Sequence, residues 1–380
     1  MDPDESSREW DVVVVGAGIA GATSALHLAR ARLRVLLVEK SAWPRAKACG
    51  GCLNASALRA LAGYGIELHE GNACTGLQLY CLRRVAHLPL RPGVAISRAR
   101  LDAILVEHAV DAGACFLPAT RATLDEPTRH GRRVVLRNPS ACRSVEAHVV
   151  LDCGGLATRL LPDPVWRIAP RARIGVAATL LADPAGYDPG IIHMACAAQG
   201  YVGLVRAGNG MANIAAALDP VRCHEAGGPA AAVAEILRAE GLAAIPDLHR
   251  LDWRGTPRLT RTRRRLGAER RVLTLGDAAA YVEPFTGEGM AWALADAAAV
   301  VPFVREAAAH WTEDITERWR ARHRRMLRSR QRLCRGISGL LRHPALLAVM
   351  LPMLDRAPAL AVPLTAWLDR DLEGSAMEAA

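Results

Sequence analysis

Asp11-Val-Val-Val-Val-Gly16-Ala-Gly18-Ile-Ala-Gly21 is an unbroken β-branched run that gives way directly to glycines and then to a helical pattern through Arg30. A run with no polar position suits a parallel strand buried on both faces. A second apolar run, Val35-Leu-Leu-Val38, follows Arg30 to Arg34 and ends at Glu39, completing a βαβ unit within about thirty residues. The glycines form G-x-G-x-x-G between strand and helix. The first permits a tight turn, the second admits a pyrophosphate to a helix N-terminus, and the third allows close helix-strand packing. Glu39, about twenty residues on, would accept from a ribose hydroxyl. Outside this context such a turn is as easily structural. Within it, dinucleotide binding is the reading.

A second segment narrows the dinucleotide. Arg271-Val-Leu-Thr-Leu275 reads as a buried strand, followed by Gly276-Asp277-Ala278-Ala279 and then Glu283-Pro284-Phe285-Thr286-Gly287-Glu288-Gly289-Met290 at the start of a helix expected from Gly287 to Ala299. NAD alone would not need this segment. A flavin would, because its ribityl hydroxyls suit a carboxylate such as Asp277, and the ring edge that gains charge on reduction suits a helix N-terminus. The competing reading, an Asp capping its own helix, does not account for the glycines.

The chain has 380 residues, 51% hydrophobic and 23% charged, with a mean hydropathy of +0.10. These values fit two folded domains and exclude wholesale disorder or a membrane-embedded bundle. Net charge is +10, yet Lys40 and Lys47 are the only lysines, so the basic balance is an arginine bias and weak grounds for an anionic partner. With 8 Trp, 5 Tyr and 3 Phe there is little for base stacking, and no nucleic-acid partner is expected. Met1 to Asp11 is charged without an apolar core, so the expected location is the cytoplasm. Ten scattered cysteines read as buried small hydrophobes.

Leu101 to Gly113 reads as an amphipathic helix, and Arg132 to Arg137 and Ala147 to Leu151 as short strands. Between about 165 and 258 the pattern becomes sheet-rich, with runs such as Ile174 to Leu181 and Gly200 to Val205 and one helix near Ala230 to Ala239. Trp311 to Arg335 is a strongly basic helix, and Leu341 to Leu368 is apolar but broken by prolines and charges, too interrupted to span a membrane.

Four segments resemble the flavoprotein monooxygenase family of the aromatic-hydroxylase type, and within it the geranylgeranyl-reductase-like branch. They are the glycine loop with Glu39; Pro44-Arg45-Ala46-Lys47-Ala48-Cys49-Gly50-Gly51-Cys52-Leu53, similar to P-R-x-K-x-C-G-G-x-L; Arg98-Ala-Arg-Leu101-Asp102, similar to R-x-x-F/L-D; and Gly276 to Met290. The resemblance implies an α/β fold: a Rossmann-like FAD-binding domain with an inserted antiparallel-sheet substrate domain and a C-terminal helical segment. The expected division is 9–75, 98–164 and 259–310 for the discontinuous FAD-binding domain, 76–97 and 165–258 for the substrate sheet, and 311–380 for a helical lid. It implies one FAD per chain, with Arg98 at the phosphates or ribose and the Gly50-Gly51 backbone beside the isoalloxazine ring. The expected cofactor residues are Gly16, Gly18, Ile19, Ala20, Gly21, Glu39, Lys40, Lys47, Gly50, Gly51, Arg98, Gly154, Asp277, Pro284, Gly287, Gly289 and Met290, with no metal.

Departures from the family matter too. Asp152-Cys-Gly-Gly-Leu156 looks more like a D-C-x-G form found in some flavin-dependent halogenases and cyclases, with Arg159 in the downstream role. Gly200-Tyr-Val-Gly-Leu-Val-Arg206 lacks the Trp and Pro of the reductases' G-Y-x-W-x-F-P, and a halogenase W-x-W-x-I-P is absent. Cys49-Gly-Gly-Cys52 precedes a helix that Asn54 or Ser56 would cap, a setting that lowers a thiol pKa. Cys49 facing flavin or substrate beside an incidental Cys52 is preferred to inert packing, and both to a redox pair; no second cysteine pair completes a zinc site.

The leading expectation is an FAD-dependent monooxygenase that hydroxylates a small aromatic or polyketide-like substrate through a flavin C4a-oxygen adduct, with NAD(P)H as transient reductant because no second dinucleotide loop is present. The alternative is a reductase of isoprenoid or lipid C=C bonds, with Cys49, Tyr201 and His193 as candidate proton donors; Cys49 and Tyr201 are the catalytic candidates. A non-catalytic flavin-binding protein is the third reading. The expected partner is a small-molecule substrate, lipophilic under the reductase alternative. Peripheral membrane contact through 318–354 competes with a solvated helix face packed under a lid, and the latter is preferred. Substrate identity, NADH against NADPH and oligomeric state are not legible.

Overall fold

The computed structural model describes residues 9–161, 166–263, 270–283, 285–370 and 372. The opening run forms the strand Trp10–Val15, with Val35–Val38 parallel on one side and Cys142–Asp152 parallel on the other. Val12, Val13 and Val14 are fully buried, as a strand covered on both faces requires. Cys115–Leu117 extends this parallel layer beyond Val35–Val38, and Val272–Thr274 pairs parallel to the end of Cys142–Asp152. The first half of Cys142–Asp152 instead pairs antiparallel with Arg132–Arg137, which pairs with Arg121–Pro127, so the sheet forks there. Helices Ile19–Arg30, Arg98–Asp111 and Gly289–Ala299 pack on one another over one face, joined by Leu26, Leu105 and Leu294 in a single apolar core.

The inserted segment forms an eight-stranded sheet in the order Arg254–Arg258, Ile174–Leu180, Met211–Leu218, Gly200–Gly208, Ile191–Ala197, Asn72–Cys81, Arg84–Ala95 and Cys52–Leu53. It departs from the expected antiparallel sheet at one pair, since Asn72–Cys81 runs parallel to Ile191–Ala197. The chain reaches that neighbour by a long crossover, and only a hairpin would force antiparallel pairing. Asn72–Cys81 also straddles the expected boundary at 75/76. Helix Pro229–Ala239 starts with Pro in its first turn and buries Val233, Ile236 and Leu237 against this sheet.

The basic helix Asp314–Leu340 turns Ile315, Trp319, Met326, Leu327 and Cys334 into the cofactor-side core and leaves Arg324, Arg325, Arg328, Arg332 and Arg335 exposed. A bend of 105° leads into helix Pro344–Arg356, which lies on the strand Arg84–Ala95. Among the described residues no single helix is long and apolar enough to cross a membrane.

Candidate functional site

A cavity of about 1340 Å³ opens where the parallel strands end, lined by Val15, Val38, Cys153 and Leu275 together with the large sheet and the C-terminal helices. Single small-molecule pockets run to about 300–1,000 Å³, so there is room here for two ligands. The crevice at the carboxyl ends of strands is where open α/β sheets bind.

One limb is charged and glycine-lined. A Cβ on Gly18 would lie 3.5 Å from Arg45 Nη2, 3.8 Å from Arg98 Nη2 and 4.0 Å from Lys47 Nζ, so three cations converge on a turn that opens a helix. A Cβ on Gly21 would stand 1.8 Å from the Gly16 carbonyl oxygen, which makes the third glycine a packing residue that does not line the cavity. Glu39 accepts the Ala17 and Ser41 N–H groups, and Arg45 Nε lies 3.0 Å from it. Burial works to raise the Glu39 carboxyl, but Arg45 and these N–H groups outweigh it and hold the pKa below the usual value. Arg98 is buried against Asp102, which accepts its Nε at 3.0 Å. Burial disfavours the Arg98 charge, yet Asp102 and Cys49 over-compensate and keep it charged. Cations at a helix N-terminus beside a buried carboxylate are the donor set that a diphosphate and a ribose require. The residues fit FAD.

The ring end follows. Gly50 leaves open space towards the cavity, its nearest side-chain neighbour being Ala215 at 3.7 Å from a built Cβ, and its carbonyl accepts Asn213 Nδ2 at 3.3 Å. Gly51 has φ +73° and a Cβ there would meet the Ile96 carbonyl at 2.3 Å, so of the pair only Gly50 offers a bare face to a ring. Cys49 Sγ accepts the Gly51 N–H at 3.4 Å. Lys47 Nζ lies 3.6 Å from Asp277, and Asp277, Gly287, Gly289 and Met290 line the same limb, as do Gly16, Ile19, Ala20, Lys40 and Gly154. Pro284 lies outside the described residues.

Several expectations change. The setting of Cys52 does not lower its thiol pKa: burial pushes it well up, reinforced by Cys74 and Cys49, although Asn54 does cap the helix by accepting the Ala57 N–H at 2.9 Å. His193 is a satisfied core residue. Its Nε2 accepts the Asp188 N–H at 3.1 Å, so Nδ1 donates to Tyr80 Oη at 3.1 Å, and the cavity is lined by its neighbours Ile192 and Met194. Tyr201 lines the cavity with its ring, T-shaped to Phe285 at 5.2 Å, but its hydroxyl is buried without a hydrogen-bond partner, and burial raises its pKa strongly. Asp152 is answered by Arg263 at 2.9 Å and by Thr158 and the Gly154 N–H, while Arg159 stays exposed at the rim. Arg45, Asn213 and Tyr281 join the site unannounced. Arg45 and Tyr281 had a signal, their places in the quoted P-R-x-K and Gly276 to Met290 segments. Asn213 arrives from a distant strand.

The second limb is aliphatic. Leu77, Leu79, Leu88, Ile192 and Met194 line it from the sheet, and Leu341, Leu347, Met350, Leu354, Leu360 and Leu364 from the C-terminal segment.

Residues 11–92 match the FAD dependent oxidoreductase family. Over 304 residues the chain is 26% identical to digeranylgeranylglycerophospholipid reductase 2 of Methanothermobacter thermautotrophicus, covering 74% of each. It is 28% identical over 338 residues to the menaquinone reductase of Mycobacterium tuberculosis, covering 77% of this chain and 75% of the other. With two further curated relatives, at 30% and 32% identity, it spans only 31% and 38% of their length. A geranylgeranyl bacteriochlorophyll reductase-like structure from Thermoplasma acidophilum superposes with a TM-score of 0.75 at 19% identity, covering 94% of this chain and 96% of that one. Flavin-dependent halogenases and an aromatic monooxygenase share the fold at 14–18% identity.

Proposed function

We propose, from the match of residues 11–92 to the FAD dependent oxidoreductase family, that the chain saturates a C=C bond of an isoprenoid lipid, with FAD in the glycine-lined limb and the hydrocarbon in the aliphatic one. The aliphatic limb carries this reading, because its leucine, isoleucine and methionine side chains suit a hydrocarbon better than the ring of a hydroxylated aromatic. The relatives that align over about three quarters of the chain are named digeranylgeranylglycerophospholipid reductase and menaquinone reductase, which supports it. Oxygenation, first in the order of expectation, has fold-level likeness in its favour, and fold does not carry function.

FAD, when bound and reduced, supplies the hydride equivalent; NAD(P)H is its proposed source. Arg45, Lys47 and Arg98 hold the diphosphate, Glu39 the ribose, and Asp277 the ribityl hydroxyls. Saturation also needs a proton. Cys49 Sγ holds it beside the bare Gly50 face, where the sulfur accepts the Gly51 N–H. Tyr201 bounds the cavity with its ring, and the C-terminal helices exclude water.

The test is a single turnover without oxygen: FAD-loaded, dithionite-reduced protein is mixed with a digeranylgeranyl lipid, and the lipid is weighed by mass spectrometry. The expected product carries two added hydrogens, one saturated double bond for each reduced FAD. An unaltered lipid, together with an aromatic product carrying one added oxygen under air, would transfer the reading to hydroxylation. Protein that neither retains nor rebinds flavin would remove the cofactor assignment itself.

A further inference from the structure

We infer that the outer face of helix Pro344–Arg356 and the segment after it form a docking surface for an anionic lipid bilayer. Of the eleven large apolar side chains exposed among the described residues, six fall between 346 and 364: Leu346, Val349, Met353, Leu360, Val362 and Leu364. Leu346, Val349 and Met353, at 53%, 60% and 60% exposure, follow one another at i, i+3 and i+7 and so form one stripe. Leu347, Met350 and Leu354, on the neighbouring face of the same helix about 100° round, line the aliphatic limb. The helix is therefore a wall with hydrocarbon-type side chains turned both to the cavity and to solvent. A wall shielding a cavity from water needs only the inner set.

The mouth adjoins the stripe. Leu360 and Leu364 are exposed at 60% and 39% and also line the cavity. Leu82, 55% exposed, extends the patch, because neighbouring Cys81 donates its thiol to the Pro344 carbonyl at 3.4 Å. The rim is basic. Arg84 donates to the Ala348 carbonyl at 3.0 Å, Arg91 reaches Asp369 at 3.5 Å with its side chain 58% exposed, and Arg356 ends the helix in solvent. Of the acids beside them, Asp355 is taken up by His87 at 2.8 Å and Asp369 is buried. An apolar stripe ringed by arginines suits the headgroup boundary of a bilayer with anionic lipids. This face takes in the apolar end of the 318–354 stretch weighed above against a solvated helix under a lid, and the arginine helix joins it through a 105° bend. The inference rests on the lipid-reductase reading for its purpose: a substrate dissolved in the bilayer would enter the limb at Leu360 and Leu364 without crossing water.

The FAD-loaded full chain is floated with phosphatidylcholine vesicles, with and without phosphatidylglycerol, beside the variant V349E/M353E. Neither position lines the cavity. Wild type is expected to float with the anionic vesicles, less so in high salt, and the variant about tenfold less or worse. In the unmodified protein, those vesicles should slow amide exchange across 344–364. No flotation by wild type, equal flotation by the variant, or unchanged exchange would overturn the inference. So would a concentration-dependent dimer in free solution that V349E/M353E dissolves, for then a second copy covers the stripe. Binding is read without turnover, so its failure is distinct from failure of the proposed reaction.

Discussion

Removing the Arg330 guanidinium should loosen the C-terminal segment from the flavin-side helix. Arg330 is 5% exposed and Glu288 1%. The guanidinium donates to Glu288 Oε2 at 2.8 Å and to the Leu368 and Arg370 carbonyls, and lies 5.0 Å over the Trp367 ring. In Arg330→Met the volume is nearly kept, but Glu288 stays buried with only Asn54 Nδ2 at 2.9 Å and Trp292 Nε1 at 3.0 Å as donors. Breaking a buried pair from one side costs about 3–5 kcal/mol. The Arg222–Glu225 pair, at 3.0 Å and exposed on both sides, offers an internal control, Arg222→Met costing about 1 kcal/mol or less. Burial already raises the Glu288 pKa, with Arg330 the chief opposing influence, so the substitution raises it further above the unfolded value of about 4.3. The native state then binds more protons than the unfolded chain in that interval, so stability climbs as pH falls, and the deficit of Arg330→Met should shrink between about pH 8 and pH 5. Urea unfolding at both pH values measures this. A loss no larger than that of Arg222→Met, or one that is the same at both pH values, would refute the reasoning.

Burial and then Arg30 push His27 down to about 4, edge-on to Tyr64 at 4.4 Å. The unfolded chain takes up the proton first, so this group should remove up to about 3 kcal/mol of stability as pH falls from 6.5 to 4, and pH-dependent unfolding of His27→Gln should lack that slope. Gly50→Ala should fold normally and weaken FAD retention. Gly51→Ala should lose about 1–3 kcal/mol in urea from its positive φ, and equal behaviour of the two would contradict their different surroundings. Arg45→Met should weaken FAD binding about tenfold or more in a fluorescence titration, the worth of a charge-assisted hydrogen bond. Cys49→Ala should keep the bound flavin spectrum while the rate of lipid saturation collapses; an unchanged rate would assign the proton elsewhere.

What the chain spells out locally was legible. The Asp11–Gly21 run, Glu39, Gly276-Asp277 and the Cys49-Gly-Gly-Cys52 segment each carry their meaning within a few residues, because strand, turn and helix N-terminus are consecutive in a βαβ unit. What depends on a distant partner was not. Asp152 waits for Arg263, Glu288 for Arg330 and Gly50 for Asn213, and nothing in the spacing of these residues announces the pairing. Cys52 shows the limit of a local rule. Its place before a helix argues for a thiolate, and burial beside Cys74, which only the folded sheet creates, argues more strongly against one. The aliphatic limb was hidden for the same reason, its leucines being shared among strands near 80, 192 and a C-terminal segment beyond 340.

The strand that carries the glycine loop finds its inner neighbour late. Trp10 aligns with Ala147, and the next parallel partner, Val272, aligns with Val150. Emerging from a ribosome, the first strand has only Val35–Val38 beside it until more than a hundred further residues are made, and the Asp277 side of the cradle comes later still. Such long-range pairing makes for slow assembly. A nascent chain therefore presents half a cradle with an uncovered strand edge. The flavin arrives as a guest of the finished sheet, and its supply should govern how much of the newly made protein survives to be counted.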